Sequence, residues 1–171
     1  MLGRDDIRQL LTQLGEELAE EGTRGELFVV GGAAMALAFN TRRATRDVDA
    51  VFEPKQVVYR AARRVADRHN DLPEDWLNDA VKGFLPGDDP DASVLFDHPG
   101  VRVRVASPRY LFTLKLLASR VERDTDDISL LYRLSGFTSP AEAFDYVEHA
   151  YPHIPLAPRA RYLLEELATD S

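Results

Sequence analysis

Asp47 and Asp49 flank Val48, so on an extended strand their carboxylates project from the same face. A buried, one-sided pair of negative charges is costly unless a cation sits between them. The hard-cation solution is Mg²⁺, which takes one or two protein carboxylates and leaves the rest of its shell to substrate phosphates. Upstream, Gly31-Gly32 separates the apolar run Glu26-Leu27-Phe28-Val29-Val30, which reads as a buried strand, from Ala33–Phe39, which reads as a helix. A strand, a Gly-Gly turn and a helix N-terminus make a phosphate cradle: no side chain blocks the approach and free N–H groups point outward. Asp47 and Asp49 are therefore the candidate metal ligands, and Gly31 and Gly32 the candidate nucleotide contacts. The structural alternatives are two solvated acids at a strand end and a tight turn without a ligand. A phosphate cradle followed by a metal-binding pair points to nucleotide chemistry.

The residues around this pair carry a resemblance. Val30-Gly31-Gly32-Ala33-Ala34, followed by Arg43-Ala44-Thr45-Arg46-Asp47-Val48-Asp49, resembles the first motif of the nucleotidyltransferase fold. The Arg-x-Thr-x-Asp-Val-Asp form is most similar to the AbiEii-type branch, the nucleotidyltransferase-like toxins of two-gene (type IV) toxin–antitoxin systems. Leu114-Lys115-Leu116-Leu117-Ala118-Ser119-Arg120, with Arg123-Asp124-Thr125-Asp126-Asp127-Ile128, is similar to that branch's later Lys…Arg…Arg-Asp-x-x-Asp block. The two blocks and their linking segments cover residues 26 to 128. The resemblance implies Mg²⁺-dependent transfer of a nucleoside monophosphate from an NTP to an acceptor hydroxyl. It also implies an RNA acceptor, the 3′ end of tRNA, and a cognate antitoxin as partner.

Further candidates follow from the matched blocks. Arg43 is read as a bidentate phosphate partner or as a surface arginine. Thr45 is read as a phosphate donor or as a brace for the loop before the strand; by the resemblance it is also a possible site of phosphorylation by the antitoxin. Lys115 lies inside the apolar run Tyr110–Ala118, where its stem buries easily but its ammonium needs water or an anion. It is a candidate point charge on nucleotide phosphates in the transition state, or a snorkelling lysine at a helix edge. Asp124 and Asp127, at i and i+3, share one helix face. One is a candidate to orient Lys115 or activate the acceptor hydroxyl, the other to cap the helix. The family pattern places a third carboxylate on a later strand, yet Val101-Arg102-Val103-Arg104-Val105 holds no acid. Either Asp124 or Asp127 supplies it, or catalysis is impaired.

These side chains need a scaffold. Ile7, Leu10, Leu11, Leu14 and Leu18 mark a helix over residues 5–21. Strands are expected over 47–52, 93–96 and 101–105, the last two joined by Asp97-His98-Pro99-Gly100. Residues 55–69 read as a helix. Pro73 suits the first turn of a short helical segment over 72–77. Pro86–Asp91 is the clearest loop and a candidate rim over the site. From Pro108 the pattern is helical, with Ser139-Pro140 opening one helix and residues 158–168 forming the last. The expected fold is α/β (α+β), a nucleotidyltransferase fold with a small mixed sheet flanked by helices and an α-helical C-terminal half. Residues 1–106 form the core and 107–171 the helical part packed on it.

Composition narrows the chemistry. At 171 residues the chain can bury one proper core. With no cysteine it has no disulfide, thiolate metal site or Cys nucleophile. His69, His98, His149 and His153 lack zinc-ligand spacing. No basic segment precedes an apolar run, and no stretch approaches the ~18 apolar residues that span a bilayer. A soluble, cytoplasmic protein without a membrane partner is expected. The net charge of −8 confines basic character to Arg42-Arg43-Arg46, to Arg60, Arg63, Arg64 and Arg68, and to Arg102, Arg104 and Arg109. An RNA contact should therefore be small and local. An acidic surface also suits transfer to a cationic small molecule of the aminoglycoside kind, and the acid-free strand suits an inactive nucleotide-binding regulator.

Overall fold

The computed structural model of the chain describes residues 1–39, 43–118 and 123–169. Arg42, Ser119 and Arg120 of the sequence motifs lie outside the described residues. The chain divides into two compact units, one of Met1–Leu85 with Pro90–Ala106, the other of Pro86–Asp89 with Ser107–Ser171.

The first unit is α/β. Helix α1 (Arg4–Glu20) begins where the Asp6 carboxylate accepts from Gly3 N–H at 2.9 Å, and it buries Ile7, Leu10, Leu11, Leu14 and Leu18. Strand β1 (Gly25–Val29) runs into α2 (Gly31–Ala34), which continues as a π-helical turn over Met35–Phe39. The helix thus starts at the glycines, two residues earlier than the apolar run suggests. After β2 (Val48–Glu53), Pro54 caps α3 (Lys55–Ala66).

The helical turn expected over 72–77 does not form. Trp76 is buried, its indole N–H donating to Ala62 O at 2.9 Å, and strand β3 (Leu77–Asn78) pairs with β2. A 3₁₀ turn (Ala80–Phe84) follows, and then β4 (Ser93–His98) and β5 (Val101–Val105) form the expected hairpin.

The strand order is β3-β2-β1-β5-β4. β1 is antiparallel to β2 and parallel to β5, so the sheet is mixed. One face, built from Leu27, Val29, Val48, Ala50, Val101 and Val103, is fully buried. It packs on α1 and α3: a Cβ added to Gly25 would stand 2.9 Å from Leu18 and 3.3 Å from Val58. The other face carries Phe28, Asp49, Val51, Arg102 and Arg104, all half-buried. The alternation of valine with polar residues along β5 sets this two-faced character.

The second unit is helical: α4 (Pro108–Leu117), α5 (Thr125–Leu134), α6 (Pro140–Ala150) and α7 (Pro158–Thr169). Ser107 and Ser139 accept from the N–H of Tyr110 and Glu142, and a proline follows each cap. Phe112, Tyr132 and Phe137 meet at centroid distances of 5.3–6.1 Å to form its aromatic core. The architecture is the mixed α/β arrangement expected, compatible with a nucleotidyltransferase-like fold. Among the described residues no helix is long and apolar enough to cross a membrane.

Candidate active site

The β1–β2 ladder fixes the acidic pair against the glycines. Val29 pairs with Ala50, and Val30 N–H donates to Asp49 O at 3.0 Å. Gly31 then takes φ +65, a left-handed conformation that disfavours any side chain. A Cβ there would lie 3.2 Å from Asp49 Oδ2, and one on Gly32 would lie 3.0 Å from Thr45 Oγ1. The glycines therefore leave room for the Asp49 carboxylate and the Thr45 hydroxyl.

Thr45 Oγ1 donates to Asp47 O at 3.1 Å. Of the two roles read from the sequence, the loop brace is the one this bond performs. The same residue exchanges two backbone hydrogen bonds with Leu2, at 2.6 and 2.9 Å, which ties the N-terminal segment to the loop. Arg43 is half-buried in the approach to this loop.

Asp47 and Asp49 differ in surroundings. Asp47 accepts from Asn78 Nδ2 at 3.3 Å. Among the described residues no group donates to the Asp49 carboxylate. Burial first, and the nearby Asp47 charge second, push the Asp49 carboxyl above its ordinary range.

Asn78 is a site residue that pattern reading missed. It lies opposite Asp49 in the β2–β3 register and also receives Ala80 N–H at 3.2 Å. Beside it, Tyr59 O–H donates to Asp79 Oδ1 at 2.5 Å and Lys55 Nζ lies 3.1 Å from Asp79 Oδ2. A two-residue strand has no periodicity to read, and the only sequence signal is a polar Asn-Asp step after Trp76-Leu77.

Whether a divalent cation suits this pair can be judged from its donors. Two like charges sit together, one with no donor among the described residues, and the ligand atoms of the pair are oxygens. No group of three His, Cys, Asp or Glu side chains with metal-holding geometry occurs among the described residues. The pair fits a hard cation that takes two protein oxygens and completes its shell from a substrate.

The second block falls in the helical unit. Lys115 Nζ on α4 lies 2.9 Å from Asp127 Oδ2 and 3.2 Å from Asp124 Oδ1, with all three side chains at most 14% exposed. Asp124 occupies the N-cap position of α5, yet its carboxylate makes no capping bond there and turns to Lys115. Asp127, in the first turn of α5, faces the same ammonium. The structure brings these three together.

Other candidates have structural duties. The buried Asp89 accepts from Ser107 N–H at 2.7 Å and Oγ–H at 3.1 Å, and Tyr110 O–H donates to Gly87 O at 2.8 Å. The Pro86–Asp91 loop is thereby fastened to the start of α4 instead of forming a loose rim. Burial, with acidic neighbours and Tyr151, pushes the Tyr110 hydroxyl well up. Arg64 and Arg68 bind Glu17 of α1, and Arg64 also Glu21, so this part of the 60–68 cluster braces α3 on α1. Arg109 stacks on Phe137 at 4.6 Å. Asp97 pairs with Arg24.

A family model described as a nucleotidyltransferase of unknown function (DUF6036) matches residues 6–134, a span that contains both motif blocks. No curated protein and no solved structure matches the chain. The family is described at the level of the transferase class, without acceptor, metal or partner. With the glycine cradle and the acidic pair inside the matched span, the chain belongs to this family of nucleotidyltransferases of unknown function.

Proposed function

We propose that the chain is a Mg²⁺-dependent nucleotidyltransferase that moves a nucleoside monophosphate from an NTP to the 3′ end of tRNA. In this reading it is the toxin of a cytoplasmic toxin–antitoxin pair. One observation carries the catalytic part: the Asp49 carboxylate, without a donor among the described residues, lies beside Asp47 and against a glycine whose φ is +65.

Asp47 and Asp49 would hold the ion, which when bound supplies charge neutralisation at the triphosphate. Gly31 and Gly32 admit the phosphates, while Asn78 and Thr45 fix the position of the acidic pair. The acceptor hydroxyl oxygen bonds to the α-phosphorus and the bond to the β-phosphate oxygen breaks. Pyrophosphate leaves, and the hydroxyl proton passes to a site carboxylate. Lys115, oriented by Asp124 and Asp127, is the proposed cation for phosphate charge. A phosphate placed on Thr45 would free the hydroxyl from Asp47 O and crowd Gly32, which suits a role in inhibition by the partner.

A second reading is an inactive nucleotide-binding regulator, favoured by the lack of an acid on β5. Incubation with each α-labelled NTP, Mg²⁺ and total tRNA separates the two. Label on tRNA with wild type, absent with Asp49→Ala, supports the transferase. Nucleotide binding without transfer to any acceptor supports the regulator.

A further inference from the structure

Asn78 stands opposite Asp49 in the β2–β3 register, so both side chains lie on the sheet face that holds the acidic pair. A carboxamide in that place can offer a cation its oxygen or turn its two N–H groups to the acids. Three bonds decide between these. Nδ2 donates to Asp47 Oδ2 at 3.3 Å and to Asp75 O at 3.4 Å, while Oδ1 accepts from Ala80 N–H at 3.2 Å. A reversed amide would set oxygen against two oxygens and N–H against N–H, so the network assigns this orientation. On the β3 side the acids therefore meet a donor and not a ligand oxygen.

Two cations held about 3.5–4 Å apart repel each other and need carboxylate charge on both. Beyond the pair, the described residues supply little of it. Strand β5 has no acid. Asp79 is engaged by Tyr59 and Lys55, and Asp124 and Asp127 face Lys115. With Asp47 Oδ2 taken by Asn78, Asp47 Oδ1 and the Asp49 carboxylate are the oxygens of the pair without a donor among the described residues.

We infer that Asn78 is a positioning residue that holds this site to one divalent cation. Its N–H fixes Asp47 and fills the place where a third ligand oxygen would admit a second ion. The inference rests on the nucleotidyl-transfer reading and adds to it the number of ions the acidic pair takes. It also gives the acid-free β5 a meaning: a site for one ion needs no third carboxylate on that strand.

The test uses Mn²⁺ as the probe. Equilibrium dialysis of the full chain against Mn²⁺ and a non-hydrolysable NTP analogue counts the ions carried per chain. Electron paramagnetic resonance of the same samples reports whether two ions are spin-coupled. Wild type should carry one ion without coupling. Asn78→Asp, which places a carboxylate oxygen beside the pair, should carry two coupled ions. Asn78→Ala should still carry one, bound about tenfold more weakly because Asp47 is no longer held. Melting curves report whether each variant folds, and if Asn78→Asp does not, the wild-type count and the Asn78→Ala affinity decide.

Two coupled ions in wild type would overturn the inference while leaving nucleotidyl transfer intact. A single ion in folded Asn78→Asp, or wild-type affinity in Asn78→Ala, would overturn it as well. Wild type that carries no Mn²⁺ with the nucleotide would overturn the metal–nucleotide reading, and this inference with it.

Discussion

At Asp49, burial and the Asp47 charge hold the carboxyl above its ordinary range, and the sign of the consequence is fixed. A carboxyl with a raised folded-state pKa binds its proton more tightly in the native chain than in the unfolded one. Its favourable contribution is complete below the ordinary value of about 3.9 and is lost as pH rises through the raised value. Asp49→Asn should therefore melt above wild type at neutral pH, with the difference closing in acid. Mg²⁺ with an NTP analogue should raise the wild-type melting temperature and leave that of Asp49→Asn unmoved.

Gly31→Ala places a side chain at φ +65 and 3.2 Å from the Asp49 carboxylate. It should cost roughly 1–2 kcal/mol in urea unfolding and weaken nucleotide binding. Lys115→Met leaves two buried carboxylates facing each other and should cost on the order of 3 kcal/mol. Adding Asp127→Asn should recover part of that loss in a double-mutant cycle. The acidic pair and the glycines were legible because their spacing alone states a geometry. Asn78 was not, because its place opposite Asp49 depends on strand pairing that no local pattern encodes.

Among the elements, the edge strand β3 pairs with β2 over two residues and is followed at once by Asp79. The Tyr59 hydroxyl, and then Lys55, keep the Asp79 carboxyl below its ordinary range. A depressed carboxyl contributes stability above its unfolded pKa and loses it as pH falls through the folded value. Tyr59→Phe should lower the melting temperature at neutral pH, and the gap to wild type should narrow as pH falls below 4.

Gly100 marks the closest approach of α1 to the hairpin. An added Cβ would stand 1.7 Å from Gly15 O, a backbone atom that cannot swing aside. Gly100→Ala should destabilise by about 1–3 kcal/mol or more, read as a lower urea midpoint. The helix stripe of α1, the β5 alternation and the Ser139-Pro140 cap were readable because each repeats or punctuates locally. The 72–77 segment was misread because Pro73 is compatible with a helix start, whereas burial of Trp76 and pairing with β2 decide the outcome.

For the whole molecule, the sequence blocks at 31–49 and 115–127 fall in different compact units, and the family match spans both. The net charge of −8 argues against broad polyanion binding. Any RNA contact made by such a chain is expected to be small and local. The mixed sheet was legible from alternating runs and turn residues.

The most direct measurement is calorimetric titration of wild type and Asp49→Asn with an NTP analogue blocked between the α- and β-phosphates, with and without Mg²⁺. It does not depend on knowing the acceptor. Binding that requires Mg²⁺ in wild type and disappears in Asp49→Asn is the expected result. Binding of equal strength in both proteins, or indifferent to Mg²⁺, would contradict assignment of the metal–nucleotide site to Asp47 and Asp49.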